Sequence, residues 1–468
     1  MYTKDDIFLY FEKLAPKRLK WKKRNRFYHS LLEKYYRFLV PEGSKVLEIG
    51  CGTGDLLHAV KPTQGVGVDI SPAMVGIAGD RYPGLAFYTQ DAESLSLDQR
   101  FDYVIMSDLL GSLHDIQQAF ACLKNVTDRN SKIIITQYNF LWEPALRFLE
   151  FSGLKARQPR QSWLSMHEIR KLLELEGFEC FKSFRKILLP LRIPLVATFF
   201  NKFLANLPLL NHLCLVNFIV ARRDEPVEEE LSVSIVVPAR NEKGNIENAI
   251  LRTPGFGRWQ EYIFIEGHSS DGTYEEMLRV KEKYPELRIK TAIQPGRGKA
   301  DAVRLGFEMA EGDILMILDA DLTTPPEDMP KFYLALSRNR GEFINGSRLV
   351  YPMEDEAMRL LNLLGNKFFS LFFSYLLDQQ LKDTLCGTKV LRRTGYEKIK
   401  ANRKYFGDFD PFGDFDLLFG ASKLNMKIVE IPVRYRNREY GSTQISRFRH
   451  GWLLIRMSLF AAMKIKFL

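Results

Sequence analysis

The sequence contains few cysteines, and none of them has the spacing of a metal site. Its five cysteines are scattered over 468 residues, and no two of them form a CxxC pair. This distribution argues against a disulfide framework and against a structural zinc site. It fits a reducing compartment such as the cytosol.

Long apolar runs are also missing. The longest stretches, such as FFSLFFSYLL at residues 368–377, are shorter than the roughly 20 residues that span a bilayer as a helix. Residues 1–30 contain no apolar core with a small-residue cleavage site, so no secretory signal is predicted. We therefore expect a cytoplasmic protein that touches a membrane at its inner face without crossing it.

The chain has neither an internal repeat nor a low-complexity tract, and 46% apolar with 26% charged residues is typical of a folded protein. Its length exceeds what one core usually supports, which predicts two domains. A formal charge of +10 favours anionic partners. The usual aromatic and basic recognition motifs are lacking, so nucleic acid is not an expected partner.

The clearest boundary in the sequence is RRDEPVEEE, residues 222–230, where an apolar run gives way to clustered charge. A new buried strand, in SVSIVVPARNE, starts directly after it. This pattern predicts one domain at residues 1–224, a linker at 225–231 and a second domain at 232–468.

Both halves alternate short apolar runs with helix-period segments, the pattern of α/β domains with mostly parallel sheets. Two capping signals predict helices that begin beside the candidate sites. These are Ser71-Pro72, and Thr324-Pro325-Pro326-Glu327, where Glu327 would complete a capping box. The predicted strands are KVLEIG, GVGVDI, LAFYTQ, FDYVIM and KIIITQY in the first half, and SIVVPA, YIFIEG, RIKTAI, DILMILD and EFINGS in the second.

Glycines follow the first predicted strand in VLEIGCGTGDLL, at Gly50, Gly52 and Gly54. At such positions a Cβ would block the close approach of a ligand to the backbone. Asp69 ends the second strand, at the spacing of a carboxylate that meets ribose hydroxyls, and Asp91 ends the third. Three strand ends therefore point polar groups at one crevice.

These motifs resemble class I S-adenosylmethionine-dependent methyltransferases over residues 40–150, and more weakly to residue 223. The GxGxG turn differs from the dinucleotide pattern GxGxxG, which argues against a nicotinamide enzyme. The resemblance implies a Rossmann-like fold that binds S-adenosyl-L-methionine. It further implies that Glu48 and the turn Gly50, Gly52 and Gly54 face the methionine part, Asp69 the ribose, and Asp91 with Ala92 the adenine.

Two features of the first half have two open interpretations each. His29 and His114 are either bases for methyl transfer or structural residues. Residues 187–212 are too interrupted by prolines for a spanning helix, so they form either a cover over the sheet or an interfacial, lipid-facing flap. The methyl acceptor is not identified by these residues.

In ILMILDADLTTPPED, residues 314–328, a buried strand ends on Asp319 and Asp321. Residues two apart in an extended segment project to the same side, so both carboxylates can bind one cation. Mg²⁺ or Mn²⁺ held jointly with a diphosphate would suit this pair, because these ions prefer oxygen ligands.

The motifs VVPARNE, EGHSSDGT, PGRGKADAVRLGFEMAEGD and INGSR surround this pair. In this order they resemble family 2 glycosyltransferases of the GT-A fold, a resemblance that covers residues 232–440. It implies a nucleotide-sugar donor, with Asp319 and Asp321 holding donor and metal. Glu266-Gly267 departs from the paired aspartates of many members. The implied nucleotide-sugar site is Pro238, Glu242, Glu266, Lys299 and Asp319.

Within this family, KDTLCGTKVLRR, DFDPFGDFDLLFGA and IVEIPVRYRNREYGST look closest to polyprenyl-phosphate sugar synthases. Asp414 and Asp416 match the family's acceptor-side acidic motif, as a general base for a hydroxyl acceptor or as positioning groups for a phosphate. Displacement at the anomeric carbon would invert its configuration. Arg434, Arg436 and Arg438 alternate on a predicted strand edge and either bind a phosphate of donor or acceptor, or form a solvated basic rim.

The C-terminal stretch RFRHGWLLIRMSLFAAMKIKFL interleaves basic with aromatic and aliphatic residues. It suits either a helix in an anionic membrane surface or a helix packed on the domain. Gln444 stands where many polyprenyl-phosphate enzymes have lysine, and QISRF, residues 444–448, resembles only superficially the QxxRW motif of processive synthases.

Three interpretations of the whole chain follow. In the first it is bifunctional, a methyltransferase fused to a metal-dependent glycosyltransferase with a lipid-phosphate or glycan acceptor. In the second only the glycosyltransferase is active, and the first half is a binding or scaffolding module. The third, a sugar nucleotidyltransferase, is disfavoured because VVPARNE lacks the glycine-rich loop that such enzymes usually have after the first strand.

Overall fold

The computed structural model describes residues 3–159, 161–351, 360–406, 414–436, 438, 440 and 447–467. The chain divides between Glu225 and Pro226 into two compact units, here called the N-terminal and C-terminal domains. This division lies in the charged segment where the sequence predicts a linker.

The described residues of the N-terminal domain form one seven-stranded sheet. Its strands are β1 (Lys45–Ile49), β2 (Gln64–Asp69), β3 (Ala86–Thr89), β4 (Tyr103–Ser107), β5 (Lys132–Tyr138), β6 (Phe178–Lys186) and β7 (Val216–Arg223). The strand order is β3-β2-β1-β4-β5-β7-β6. Strands β1 to β5 are parallel, whereas β7 runs antiparallel to both of its neighbours.

Helices connect the parallel strands and cover the sheet. They are α1 (Lys4–Arg24), α2 (Arg26–Leu39), α3 (Asp55–Ala59), α4 (Pro72–Arg81), α5 (Ile116–Val126), α6 (Glu143–Phe151), α7 (Met166–Leu175) and α8 (Val196–Lys202). The predicted cap of α4 is confirmed, because the Ser71 side chain accepts a hydrogen bond from Met74 N and Pro72 occupies the first turn.

The C-terminal domain also has seven strands among its described residues. They are β8 (Val233–Ala239), β9 (Gln260–Glu266), β10 (Arg288–Ile293), β11 (Ile314–Ile317), β12 (Phe343–Ser347), β13 (Lys389–Arg392) and β14 (Ile428–Pro432). The order is β10-β9-β8-β11-β13-β12-β14, and β13 is antiparallel to β11 and β12. The helices are α9 (Ile246–Leu251), α10 (Thr273–Lys283), α11 (Lys299–Met309), α12 (Met329–Ser337), α13 (Leu360–Leu377), α14 (Arg393–Asn402), α15 (Asp414–Lys423) and α16 (Arg447–Ala461).

The predicted α/β fold class is confirmed in both domains, and all ten predicted strands are present as β1 to β5 and β8 to β12. Strands β6, β7, β13 and β14 are not among the predicted strands. Because β1 to β5 and β8 to β11 are parallel, their carboxyl ends gather at one edge of each sheet, where ligands bind in open α/β sheets.

Two local predictions are wrong. The capping box at Thr324–Glu327 does not form: α12 begins only at Met329, and Glu327 is ion-paired with Arg252 at 2.9 Å. The predicted strand edge after residue 433 is absent as well, since β14 ends at Pro432 and the described arginines 434, 436 and 438 lie outside any strand.

Across the part of the chain that the structure describes, we find no helix with both the length and the apolarity needed to cross a membrane.

Candidate active sites

The glycine turn of the N-terminal domain has the backbone conformation that its sequence predicts. Gly50, Gly52 and Gly54 have φ values of 73°, 52° and 73°, which side chains with a Cβ rarely adopt. A Cβ built at Gly52 would have no described atom within 4 Å. A Cβ at Gly50 or Gly54 would instead meet the side chain of Leu109 or Phe87, so the open space lies beside Gly52.

Asp69 fixes this turn to the end of β2. Its carboxylate accepts hydrogen bonds from Gly52 N at 2.8 Å and from Ser71 N at 3.0 Å. Burial raises the pKa of Asp69, while the two backbone hydrogen bonds act in the opposite direction. The side chain thus joins the glycine turn to the first turn of α4.

Glu48 lies in β1 and is 3% exposed. It accepts a hydrogen bond from Leu57 N at 2.9 Å, and burial raises its pKa to about 8, with Lys22 opposing the shift. The carboxyl group therefore connects β1 to α3 as well as lining the adjoining cavity.

Asp91 and Ala92 follow β3 and line the same cavity. Asp91 is ion-paired with Lys4 at 2.8 Å, and the same ammonium group contacts Glu93 at 2.6 Å. These carboxylates raise the pKa of Lys4 above its ordinary value. Sequence reasoning missed Lys4, since its position in α1 carries no motif.

A cavity of about 1270 Å³ adjoins the glycine turn. Glu48, Gly50, Gly52, Asp69, Asp91 and Ala92 line it, so the structure brings these predicted residues together; Gly54 is not among the lining residues. The lining also includes the basic residues Arg18, Lys22, Arg26 and Lys155. The cavity extends well beyond the strand ends that the sequence identified.

Three further groups in this cavity could handle protons. Burial lowers the pKa of His29 to about 3, so its imidazole is neutral at physiological pH. His114 also lines the cavity. Asp108, which the sequence analysis missed, receives a 2.7 Å hydrogen bond from Tyr28 OH, and its buried Oδ1 has no hydrogen-bond partner among the described residues. Its place directly after β4 is the signal that could have identified it.

In the C-terminal domain, Asp319 follows β11 and is ion-paired with Lys299 of α11 at 2.6 Å. Burial alone would raise the pKa of Asp319, but the Lys299 ammonium holds it below its usual range. A Cβ at Gly387 would collide with both Asp319 Oδ2 and Lys299 Nζ. Sequence reasoning missed Gly387, whose signal is its place in the KDTLCGTKVLRR motif.

Asp321 is paired with a different basic residue, Arg438. Its Oδ2 is 2.6 Å from Arg438, and its Oδ1 accepts a hydrogen bond from Thr323 Oγ1 at 2.8 Å. Arg438 also reaches Glu242 at 3.5 Å, and burial raises the pKa of Glu242 to about 7. Three acidic residues thus face two basic ones, which leaves one formal negative charge when Glu242 is ionised.

The other donor-side residues lie at the ends of β8 and β9. Pro238 is within β8, and its register partner in β9 is Ile265. Glu266 ends β9, is buried, and accepts a hydrogen bond from Ser269 N at 2.5 Å. Asp271 accepts hydrogen bonds from Thr273, as expected for a turn that leads into α10.

The acceptor-side residues have separate surroundings. Asp416 is buried and ion-paired with Arg403 at 2.9 Å and Arg304 at 3.2 Å. Asp414 is the first residue of α15, and its side chain lies outside the described residues, as does Gln444. Arg434 and Arg436 are exposed; the guanidinium of Arg434 lies over the ring of Tyr351.

Comparison with protein families decides the nature of both domains. Residues 21–183 match the family model described as a methyltransferase domain, and residues 234–400 match that of glycosyl transferase family 2. The chain joins a methyltransferase domain to a family 2 glycosyltransferase domain. The two family resemblances seen in the sequence are confirmed.

Curated relatives match the glycosyltransferase domain. The chain is 28% identical over 221 residues to the dolichol-phosphate mannosyltransferase of Pyrococcus furiosus, covering 46% of this chain and 59% of that protein. It is 25% identical to the undecaprenyl-phosphate 4-deoxy-4-formamido-L-arabinose transferase of Salmonella paratyphi B, covering 46% and 63%. The chain thus spans about three fifths of the length of these relatives.

Solved structures resemble the methyltransferase domain. One is an S-adenosylmethionine-dependent methyltransferase of Thermotoga maritima, with 19% identity, 47% of this chain and 100% of that chain covered, and a TM-score of 0.37. Another is the magnesium protoporphyrin IX methyltransferase of Synechocystis, with 19% identity, coverage of 47% and 100%, and a TM-score of 0.34.

The methyltransferase domain offers groups that fit S-adenosyl-L-methionine. Gly52 leaves space beside the backbone, and the Asp69 carboxylate lies at the end of β2 with both oxygens oriented by backbone N–H groups. The cavity volume of about 1270 Å³ exceeds the 300–1,000 Å³ of common ligand pockets. There is room for a second ligand beside the cofactor.

The glycosyltransferase domain offers a divalent cation two carboxylates, at Asp319 and Asp321, which are of the ligand type that Mg²⁺ and Mn²⁺ prefer. No group of three or more His, Cys, Asp and Glu side chains suited to a metal ion occurs among the described residues. A cation bound at Asp321 would also take the place of Arg438. The residues therefore fit a metal only as part of a set completed by donor oxygens.

Proposed function

We propose that the chain is a bifunctional enzyme. Its methyltransferase domain transfers a methyl group from S-adenosyl-L-methionine. Its glycosyltransferase domain performs metal-dependent, inverting transfer of a sugar from a nucleotide-sugar to a polyprenyl phosphate. The observation that carries the second activity is the cluster of Asp319, Asp321 and Glu242 with Lys299 and Arg438 beside the end of β11.

The methyltransferase proposal assigns each cavity residue a binding task. The glycine turn admits the cofactor to the backbone, with Glu48 on the methionine side. Asp69 accepts hydrogen bonds from ribose hydroxyls, and Asp91 with Ala92 flanks the adenine. When bound, the cofactor supplies an electrophilic methyl group, and alignment of the acceptor by the cavity walls supplies much of the rate.

In the sugar transfer, Pro238, Glu242 and Glu266 bind the nucleoside of the donor, and Lys299 binds its phosphates. A divalent cation at Asp319 and Asp321 would neutralise the leaving nucleoside diphosphate. Arg438 is poised to exchange its carboxylate partners for a phosphate, because a guanidinium group binds either anion through paired hydrogen bonds.

A phosphate acceptor reduces the need for a general base. A phosphate monoester is largely dianionic near neutrality, since its second pKa is about 6. We therefore assign Asp414 and Asp416 positioning roles, and the two arginine pairs of Asp416 suit that role. Arg434 and Arg436 are exposed and available to an anionic headgroup.

Attachment to the membrane surface, at its inner face, is part of the proposal. Helix α16 exposes Trp452, Ile455 and Leu459 on positions three and four apart, while Met457 and Ala461 are buried. An exposed apolar stripe on a helix that also carries arginines suits the interface of an anionic bilayer.

A second candidate keeps the glycosyltransferase active and makes the methyltransferase domain a non-catalytic module. The observation in its favour is that Lys4 and Lys22 form ion pairs with Asp91 and Asp55 among the residues that line the cavity. Calorimetric titration with S-adenosyl-L-methionine separates the two candidates, because an inactive scaffold need not bind it.

The sugar-transfer proposal is tested by incubating the purified chain with membranes and radiolabelled nucleotide sugars. We expect label in organic-extractable lipid, loss of transfer after chelation of divalent cations, and at least roughly a 100-fold loss in Asp321→Asn, the cost of removing one preorganised charged group. Asp328→Asn, which alters another acidic residue of the domain, is the control. Full transfer by chelated enzyme, or label only in soluble glycans, contradicts the proposal.

A further inference from the structure

The segment from residue 187 to 213 of the methyltransferase domain buries polar side chains and exposes large apolar ones. Asn201 in α8 and Asn206 in the turn that follows are 5% and 1% exposed. Leu195, directly before α8, and Leu209, after that turn, are each 86% exposed. An ordinary surface helix buries its apolar side chains and exposes its polar ones. Here the solvent-facing side is apolar.

The buried asparagines explain how this arrangement is held. Asn201 accepts a hydrogen bond from Leu189 N at 2.9 Å and donates one to Leu189 O at 2.7 Å. Asn206 accepts a hydrogen bond from Lys186 Nζ at 2.6 Å and donates one to Lys202 O. The segment is therefore fixed from beneath by side-chain hydrogen bonds, and its apolar residues remain available at the surface.

These exposed residues form a patch that we call the apolar rim. It consists of Leu191, Ile193, Leu195, Phe199, Leu207 and Leu209, each at least 43% exposed. Contiguous apolar surface of this kind marks an interaction site in a folded protein. The rim is therefore a candidate surface for a partner that covers it.

The rim is continuous with the mouth of the cavity. Leu191 is 60% exposed and also lines the cavity, and Leu154, which follows α6, is 47% exposed and lines it too. Beside Leu154, helix α6 exposes Phe148 and Phe151. An apolar molecule could pass from the covered surface into the cavity without crossing water.

Charge favours a lipid surface over a protein as the partner. Residues 187–213 contain Arg192 and Lys202 but no aspartate or glutamate. The residues that line the cavity include Arg18, Arg26 and Lys155, of which Lys155 is ion-paired with Glu150. Basic residues among exposed aliphatic and aromatic ones are attracted to anionic headgroups.

We propose that the apolar rim docks on an anionic bilayer, and that the methyl acceptor is an amphiphile with an anionic headgroup that enters the cavity from it. A headgroup oxygen or nitrogen forms the new bond to the methyl carbon. The sulfonium sulfur keeps the electron pair of the bond that breaks, and the acceptor's proton passes to water. This inference rests on the methyltransferase activity proposed above.

Hydrogen exchange of the full chain tests the docking. With phosphatidylglycerol vesicles, we expect slower exchange in residues 191–209 and 148–154 than without vesicles, and little change with phosphatidylcholine. Slowing confined to the C-terminal domain, slowing with neither vesicle, or protection of the rim by self-association in the absence of lipid would each overturn it.

A pair of substitutions that introduces negative charge into the rim, here called the charged-rim pair, sharpens the test. Leu195→Glu with Leu209→Glu should reduce association of the chain with anionic vesicles by at least about tenfold, since two large apolar side chains no longer enter the lipid. The control is Leu175→Glu in α7, which is 69% exposed and outside the residues that line the cavity. An equal loss in both proteins, or none in the pair, contradicts the proposal.

A labelled-methyl assay on membranes separates the failure of this inference from that of the proposed activity. S-Adenosyl-L-methionine binding should be the same in wild type and the charged-rim pair, while the label found in organic-extractable lipid should fall in parallel with vesicle association. No cofactor binding by the wild type overturns the methyltransferase proposal itself. Cofactor binding with label only in aqueous products overturns the lipid acceptor alone.

Discussion

Gly387 lies so close to the Asp319 and Lys299 ion pair that only glycine fits there. An added Cβ would overlap Asp319 Oδ2 and Lys299 Nζ, and both residues belong to the proposed donor site. We expect Gly387→Ala to separate the pair and to reduce sugar transfer by roughly 100-fold, the scale of losing a preorganised charged group. Initial rates with a labelled nucleotide-sugar measure this loss.

Gly255→Ala is the matched control, because a Cβ built at Gly255 meets no described atom within 4 Å. Its transfer rate and its unfolding midpoint should stay close to those of the wild type. If Gly387→Ala were as active as Gly255→Ala, the Asp319 and Lys299 pair would have no part in donor binding.

Single residues differ in how far the sequence reveals them. Asp69 and Asp319 can be predicted because Asp69 ends β2 and Asp319 closely follows β11, and strand ends point at the ligand edge of a parallel sheet. Lys4 and Gly387 cannot be predicted, because each matters through a contact with residues far away in the chain. The sequence predicts Arg438 either as a phosphate ligand or as part of a solvated basic rim, but its ion pairs with Asp321 and Glu242 depend on tertiary structure.

At the scale of elements, we expect the contact between β1 and α3 to weaken as the pH rises. Burial raises the pKa of Glu48 to about 8 from an ordinary 4.5. The folded state therefore binds the Glu48 proton more tightly than the unfolded state does. The contribution of Glu48 to the free energy of unfolding is fully present below pH 4.5 and is lost as the pH rises towards 8. The slope from this one group cannot exceed about 1.4 kcal/mol per pH unit.

Glu48→Gln should remove that slope, because glutamine does not ionise and still offers an oxygen to Leu57 N. Hydrogen exchange of the β1 amides, corrected for intrinsic pH effects, measures the local free energy of opening. Glu42→Gln alters a side chain that is 72% exposed and should leave the wild-type slope in place. If the opening free energy of Glu48→Gln had the same pH slope as that of the wild type, ionisation of Glu48 would not destabilise the folded state.

Elements with a strong local pattern were predictable, and those defined by distant pairing were not. Strands β1 and β8 combine apolar β-branched runs with a following turn motif. Strand β13 has four residues and lies antiparallel between β11 and β12, a position that local sequence does not encode. The false capping box has the same cause, because Arg252 binds Glu327 from 75 residues away.

At the scale of the whole molecule, the segment between the domains is the site where we expect a protease to cut first. Glu228 and Glu230 are exposed there, between the end of β7 and the start of β8. A glutamyl endopeptidase should cleave after one of them at least about tenfold faster than elsewhere, because opening an exposed linker costs far less than opening a core.

Mass spectrometry of the products checks this expectation, and Glu228→Gln with Glu230→Gln should slow the first cut. The N-terminal fragment should retain its affinity for S-adenosyl-L-methionine, since its cavity is built from residues before Glu225. First cleavage inside either sheet would contradict the division into two independent domains.

The antiparallel direction of β7 determines where the chain leaves its first sheet. Strands β1 to β5 end at the edge that carries the glycine turn, whereas β7 ends at Arg223 on the reverse edge. A polypeptide grafted after Arg223 thus starts its path away from the cofactor crevice. For protein engineering, the position after Arg223 is a suitable fusion site. A fluorescent reporter or purification tag attached there would start on the edge opposite the crevice, so small molecules could still enter the crevice.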